Sequence, residues 1–500
     1  MLVRLAIFVL GLQMLACEVA ERPYTPHTSA TVPEDQSGNG TVVRRPLPST
    51  NVVTSPATGE HQSQEPSSSA AGEDATPSPA TIALEQPLLE KGSLLPRWSI
   101  NQTYTVYDPK PIYAELKSLL RAARESIRFD FYIFYGADAA EMVDILIDQS
   151  RRGVEVKVLL DPLHGPPIKG MLDGKALYEK LRDHRSEHLE VHLAPIALQP
   201  EQFRNIDHNK NVVIDDRIMV TGGMNVGTHF ERYHDVIVVA EGPVAQDLAA
   251  LFDADLGLAR RLTEGEELGR FEPDFSPVVA FEDYRDLDRA GRGNETSARL
   301  VVTGYGRTEG YRALLSHVIN ARESIDLQVS EFSALELAHA LTEAHERGVQ
   351  VRVLIDADDN LSDFVPFTSS LSGTLIAATV NYLLDHGVPT RFFDQAERYA
   401  RAHLKLSIFD RLLVSVGTTN WSTEILGNSE TNIELVGGGA ATEIQRRFNE
   451  DWELSSAATH PSEAATTINT FLYQIGLFRE PPTLVDTVLP GFRVGPTIGY

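Results

Sequence analysis

At 500 residues, 42% hydrophobic and 23% charged, the chain is too apolar to be wholly disordered and too polar to cross a membrane many times. Forty-four Lys and Arg against seventy Asp and Glu leave a formal net charge of −26. That balance argues against a broad electrostatic grip on nucleic acid, which needs a basic face, but leaves room for a local basic pocket. The one cysteine, Cys17, excludes an internal disulfide and any cysteine-based zinc cluster.

The N-terminus has the order of an export signal: Arg4, the apolar run Leu5 to Leu15, then the small Ala16. The run is much shorter than the ~20 apolar residues that span a bilayer. Met14-Leu15-Ala16-Cys17 resembles the lipobox of bacterial lipoproteins, although Leu is commoner than Met at its first position and a small residue commoner than Leu at its second. The resemblance implies a signal peptide with lipobox at residues 1–17, lipidation of Cys17 as the mature N-terminus, and an exported protein anchored to the periplasmic or outer-membrane face of the envelope. A plain signal peptide with an incidental Cys17, giving a secreted protein, is the alternative. Residues 18–95 are rich in Pro, Ser and Thr without an apolar period, the composition of a disordered tether.

From residue 98 the chain repeats itself. Ala123-Arg124-Glu125-Ser126-Ile127 returns as Ala321-Arg322-Glu323-Ser324-Ile325, and Arg152-Gly153-Val154-Glu155-Val156 as Arg347-Gly348-Val349-Gln350-Val351. The offset is 198 residues at the first match and 195 at the second. A period of this size is a duplicated domain rather than a solenoid. The expected organisation is a first half at 98–258, a charged connector at 259–297, a second half at 298–455 and an extension at 456–500.

Each copy reads as a helix (apolar Ile112, Leu116, Leu119, Leu120, Ala123 and Ile127 in the first), then a strand (Phe129 to Phe134; Leu327 to Phe332). A second helix ends at Gly153 or Gly348, and a Val-x-Val strand follows, closing on Asp161 or Asp356. Strand–helix–strand order predicts an α/β fold with a mixed, mostly parallel sheet in each half. Asp161 and Asp356 stand at strand ends, where sites in open sheets gather, but a turn role is the plainer expectation for them.

The chemistry sits later in each copy. The first has His208-Asn209-Lys210, Asp215 and Gly222-Gly223-Met224-Asn225; the second has His403-Leu404-Lys405, Asp410 and Gly417-Thr418-Thr419-Asn420. Apolar runs on either side of Asp215-Asp216-Arg217, and of Asp410-Arg411, read as hairpins that return each Asn toward its His. Alternation puts His208 and Lys210 on one strand face. A lone His-x-Lys carries no weight, since such a histidine is more often structural or solvated; two copies at matched spacing do. Asp235 and Glu430 each follow their histidine by 27 residues. A carboxylate on the far ring nitrogen would fix the tautomer and stabilise the imidazolium.

Both segments resemble the His-x-Lys-x4-Asp-x6-Gly-Ser-x-Asn motif of the phospholipase D superfamily, and Phe131-Tyr132-Ile133-Phe134 with Arg151 to Val156 look most like its bacterial cardiolipin synthase and phospholipase D-like branch. The motif's Ser is replaced by Gly223 and Thr418, removing a hydroxyl expected near the phosphate on one side. The resemblance implies two α/β halves sharing one active site at their interface. Lys210 and Lys405 would offset the phosphodiester charge, with Asn225 and Asn420 donating hydrogen bonds. His208 would form a phosphohistidine and His403 would act as acid and base, with the swap as the alternative. Asp215 and Asp410 would hold the hairpins. No metal or cofactor is implied, and a monomer is expected.

The substrate implied is a phospholipid, with hydrolysis and phosphatidyl transfer differing only in the second acceptor. A phospholipase D-like enzyme facing the periplasm or exterior is favoured because cardiolipin synthases commonly carry N-terminal membrane helices, where this chain has an export signal and tether. A cardiolipin synthase-type phosphatidyltransferase is the nearest alternative. A secreted nuclease is disfavoured by the charge, and a catalytically silent surface-binding protein would need a damaged motif.

Overall fold

The computed structural model describes residues 97–461 except 163–171, 201–204, 276–283, 288–294, 357–370, 394, 396 and 423. The expected export signal with Cys17, the expected tether, and residues 462–500 of the extension lie outside the described residues.

The first half opens with β1 (Ser99–Tyr107) and α1 (Pro109–Ala122), followed by β2 (Ser126–Phe131), α2 (Gly136–Arg151), β3 (Glu155–Leu160), α3 (Leu172–Asp183) and β4 (Leu189–Leu193). It continues through β5 (Lys210–Ile214), β6 (Ile218–Gly222), β7 (Tyr233–His234), β8 (Val236–Glu241) and α4 (Pro243–Thr263). The second half repeats the series: β9 (Glu295–Thr303), α5 (Glu309–Asn320), β10 (Ser324–Val329), α6 (Leu335–Glu346), β11 (Gln350–Asp356), α7 (Leu371–Asp385) and β12 (Thr390–Phe393). Then come β13 (Arg401–Ala402), β14 (Lys405–Phe409), β15 (Leu413–Gly417), β16 (Glu430–Val436), α8 (Gly438–Glu453) and β17 (Ser456–Ala457). Folded elements therefore reach into both ends of the 259–297 connector, and β17 lays the start of the C-terminal extension along β12.

The duplication is visible in the strand order. One 15-stranded sheet runs β17-β12-β11-β10-β14-β15-β16-β9-β1-β8-β6-β5-β2-β3-β4, so, β17 apart, each half has the same sequence of strands counted outward from the β9–β1 seam. That seam is antiparallel, Ser99 facing Ala298 and Gln102 facing Glu295, and joins the halves into one continuous sheet.

The expectation of mostly parallel sheets is corrected. Among the described residues, only β2–β3, β3–β4, β10–β11 and β11–β12 pair in parallel within this sheet. The other ten neighbouring pairs are antiparallel. Crossover helices enforce parallel pairing only at the outer strands of each half; the strands nearer the seam are joined by hairpins and returns, which pair antiparallel.

The first helix also stops earlier than its apolar spacing predicts. Ala123 is extended (φ −57°, ψ 141°) and Ile127 belongs to β2. The next three backbone N–H groups, those of Arg124, Glu125 and Ser126, all donate to the Asp215 carboxylate instead of continuing the helix. This grip starts β2 at Ser126, three residues before the expected Phe129; the matching grip of Asp410 on Arg322, Glu323 and Ser324 starts β10 at Ser324.

The core lies between the sheet and its helices. Phe129, Phe131, Met142, Leu146, Val156 and Val158 pack the first half; Leu327, Phe332, Leu337, Leu341, Val351 and Val353 pack the second. A third cluster spans both halves, putting Val236, Val238 and Leu248 with Leu406, Ile433 and Phe448. Burying these side chains contributes about 1.5–3 kcal/mol each, so the seam is a packed interior rather than a hinge.

Candidate active site at the seam between the halves

The two motif hairpins are tight. Asp215 and Asp216 turn β5 into β6 with φ of 53° and 51°, and Asp410 and Arg411 turn β14 into β15 with φ of 51° and 56°. Two successive left-handed residues make the turn that matches strand twist, and Asp tolerates that region better than most residues. Each turn carboxylate is engaged by three backbone N–H groups. Asp410 also accepts from the Tyr284 hydroxyl and pairs with Arg285. Burial alone would raise the Asp410 carboxyl, but these donors hold it below the usual carboxylate range.

At the other end of the hairpins lie the histidines. The ring Nδ1 of His208 is 2.9 Å from Glu430 Oε2, and that of His403 is 2.8 Å from Asp235 Oδ2. Each carboxylate comes from the opposite half, although the matched spacing of 27 residues suggested partners within one copy. The backbone follows the same exchange. His208 N–H donates to Ser429 O, and His403 N–H to His234 O. Asp207 bridges to Ser429, while β13 pairs with β7 through Ala402 and His234. An ionised carboxylate only accepts, so Nδ1 carries the proton and the Nε2 lone pair is left for chemistry.

The strand-end carboxylates do more than close a turn. Asp161 Oδ2 accepts the N–H of Asp207, and Asp356 Oδ1 that of Ala402, one residue before each histidine. Lys210 Nζ and Lys405 Nζ each donate to the carbonyl of their own histidine at 2.6 Å. Lys405 also donates to Ser330 Oγ, which donates to Asn420 Oδ1. In the first half Tyr132 replaces that serine, with its ring 5.2 Å from Lys210 Nζ and edge-on to His208. Asn225 and Asn420 stand just before Val226 and Trp421, which bridge to Phe134 and Phe332 beyond β2 and β10. The Asn225 carbonyl accepts from the Tyr113 hydroxyl.

Sequence reasoning missed Asn209, whose amide reaches Ser429 and Thr431 of the second half, and His234. The departures from the motif also take on a different meaning. The hydroxyl expected near the phosphate is, in Thr418, a donor to Glu430 Oε2 at 2.7 Å that also accepts the Thr431 N–H.

The charges are buried together. Burial, with Lys405 nearby, pushes the Lys210 ammonium down to about 7, and burial lowers Lys405 to about 8. Burial raises Asp235 to about 7 against the pull of Lys405, and Glu430 to about 7 against that of Lys210. Burial, then Lys405 and Lys210, push the His403 imidazole well below its ordinary value. Two buried ammonium groups beside two imidazoles form a site that an anion would stabilise.

Fold and site together define a tandem phospholipase D-like protein, and the chain belongs to that family: the family described as cardiolipin synthase, PLD-like domain, matches it twice, at residues 116–256 and 314–452. It is similar to the major cardiolipin synthase ClsA of Bacillus subtilis (strain 168), 24% identical over 373 residues, 72% of this chain and 70% of that protein. Cardiolipin synthase A of Serratia proteamaculans (strain 568) is 27% identical over 327 residues, 61% of this chain and 60% of that protein. The fold is shared with the crystal structure of phosphatidylserine synthase from Haemophilus influenzae Rd KW20, at a TM-score of 0.53 and 13% identity, covering 79% of this chain and 98% of that one.

Proposed function

We propose that the protein is a phosphatidyltransferase that cleaves and re-forms phospholipid phosphodiester bonds through a phosphohistidine. The observation that carries the reading is the exchange of carboxylates, which ties the two imidazoles together across the halves while each lysine is held on the carbonyl of its own histidine. The cardiolipin synthases it resembles support phosphatidyl transfer over the nuclease and the silent binder.

The diester binds against Lys210 and Lys405, with the side-chain amides of Asn225 and Asn420 as hydrogen-bond donors. His208 Nε2 attacks phosphorus. The bond to the departing alcohol breaks as His403 gives its proton to that oxygen. His403 starts low because burial disfavours its cation and the lysines repel it, and the diester's negative charge offsets that repulsion and raises it. The neutral His403 then takes the proton of an incoming alcohol, whose oxygen displaces His208 from phosphorus. Water in place of that alcohol gives phosphatidic acid.

The test offers mixed phospholipid vesicles with and without a short primary alcohol and identifies products by mass. Phosphatidyl-alcohol is the expected product, absent in His208→Ala and His403→Ala. Full turnover in either variant, or plasmid cleavage without phospholipid turnover, would overturn the reading. An exported, lipid-anchored location belongs to the same proposal and rests on Met14 to Cys17; its check is fatty-acid labelling of the chain that Cys17→Ala abolishes.

A further inference from the structure

His234, the last residue of β7, is buried and belongs to no motif. Its Nδ1 lies 2.9 Å from Asp108 Oδ1 and its Nε2 2.9 Å from Asp451 Oδ2. Asp108 precedes α1 in the first half, and Asp451 lies on α8 in the second. The ring is stacked on Tyr399, with centroids 4.5 Å apart, and on Phe393, both from the second half. The carboxylates are held in turn: Tyr399 donates its hydroxyl to Asp108, and Gln328 its amide to Asp451. Only the imidazolium can donate to two carboxylates at once, and their pull outweighs burial to raise His234 to about 9.

This bridge touches the His403 side of the site at three points. The His234 carbonyl accepts the His403 N–H, and Asp108 N–H donates to the Asp235 carbonyl. Asp235, the next residue, binds His403 Nδ1. Among the described residues, no histidine stands at the equivalent position of the other copy. The residue 195 positions on is Ser429, whose carbonyl takes the His208 N–H but whose side chain accepts only a neutral amide, that of Asn209. There Glu430 is held by Thr418 and Asn428.

We infer that His234 is a positioning residue: by joining Asp108 to Asp451 across the halves it sets Asp235 and His403 in place, so the proton transfers of His403 depend on it. The inference rests on the proposed chemistry, and its test separates the two. Full-length wild type, His234→Gln, His403→Ala and His208→Ala are compared on a phospholipid, whose alcohol leaving group needs a proton, and on a p-nitrophenyl phosphodiester, whose leaving group does not. Single-turnover release of the leaving group is measured in each case.

His403→Ala is expected to be partly rescued by the activated leaving group and His208→Ala not. His234→Gln is expected to follow His403→Ala at smaller amplitude: about 10-fold or more slower on phospholipid, out of the 10²–10⁴-fold that acid–base catalysis supplies, and within about threefold of wild type on the activated diester. Equal losses on both substrates, as general loosening of the fold would give, overturn the inference. If the two catalytic variants behave in reverse, the histidine roles are swapped, and the inference that His234 supports the proton transfers of His403 is overturned. If neither variant distinguishes the leaving groups, the proposed chemistry falls instead. Should His234→Gln not fold, Asp451→Asn, which weakens the same bridge, takes its place with the same outcomes.

Discussion

The Asp235 carboxylate occupies the space that a β-carbon on Gly223 would fill, with Oδ2 2.8 Å from that point and Oδ1 closer still. The absent side chain is therefore a condition for the Asp235–His403 pair. Restoring the motif's usual residue, Gly223→Ser, is expected to displace Asp235 and lower turnover by about 10²-fold, within the range for disabling acid–base catalysis. Steady-state kinetics check this, with near-ultraviolet dichroism showing that the fold persists; an active Gly223→Ser enzyme would refute it.

The opposite side uses its side chain. Thr418→Val keeps the shape but leaves Glu430 short of a donor and the Thr431 N–H short of an acceptor, a cost of about 1–3 kcal/mol. Because that hydroxyl lowers the Glu430 carboxyl, its loss raises it further. Turnover is expected to fall about tenfold, with the acid limb of the rate profile moved to higher pH.

The lysines set an unusual alkaline limit. In the free site Lys210 titrates at about 7 and Lys405 at about 8, so kcat/KM should decline as pH rises through this range. A bound diester favours both ammonium forms, so kcat should hold to higher pH. A profile in which both parameters fall together would count against the lysines as the phosphate's counter-charges. Activity is expected to survive exhaustive chelation, which dialysis against EDTA examines directly.

Asp410→Asn leaves one oxygen for the N–H groups of Arg322, Glu323 and Ser324 but turns amide hydrogens on the Tyr284 hydroxyl and the Arg285 guanidinium and removes the negative charge that Arg285 pairs with. A loss of about 2–3 kcal/mol is expected, read as a lower denaturant midpoint. Residual activity at low temperature separates this from a catalytic defect.

His234 gives the fold an alkaline dependence. Its folded-state value is raised to about 9 from an ordinary 6.5, so its stabilisation is complete below about 6.5 and lost as pH rises through about 9. The contribution is on the order of 3 kcal/mol. Wild type should lose more stability between pH 6.5 and 9.5 than His234→Gln, measured by denaturant titration at each pH.

The duplication was legible in the chain because its identities are local: Arg-Gly-Val and His-x-Lys recur at one offset, and the hairpin turns at Asp215 and Asp410 fall between short apolar runs. Strand direction was less legible. The β2–α2–β3 unit advertises parallel pairing, whereas the returns that lay β8 beside β6 and β1 leave no periodic mark. The owners of the histidine carboxylates were hidden for a sharper reason. In a duplicated chain Asp235 and Glu430 stand at equal spacing from His208 and His403, so partners within a copy and across copies have the same linear pattern. The pairing of β7 with β13, and the bridge between Asp207 and Ser429, decide between them. Nor does sequence alone distinguish His234 from any surface histidine, since Asp108 and Asp451 lie 126 and 217 positions away.

The crossed carboxylates also govern how such a chain can diverge. Damage to the acidic residue of either repeat silences the imidazole of its sibling, so neither repeat can decay into mere scaffolding while the other keeps the trade. Drift must proceed in tandem, and a recombination event that exchanged one repeat for a foreign one would have to import both ends of each crossed contact to leave a working catalyst.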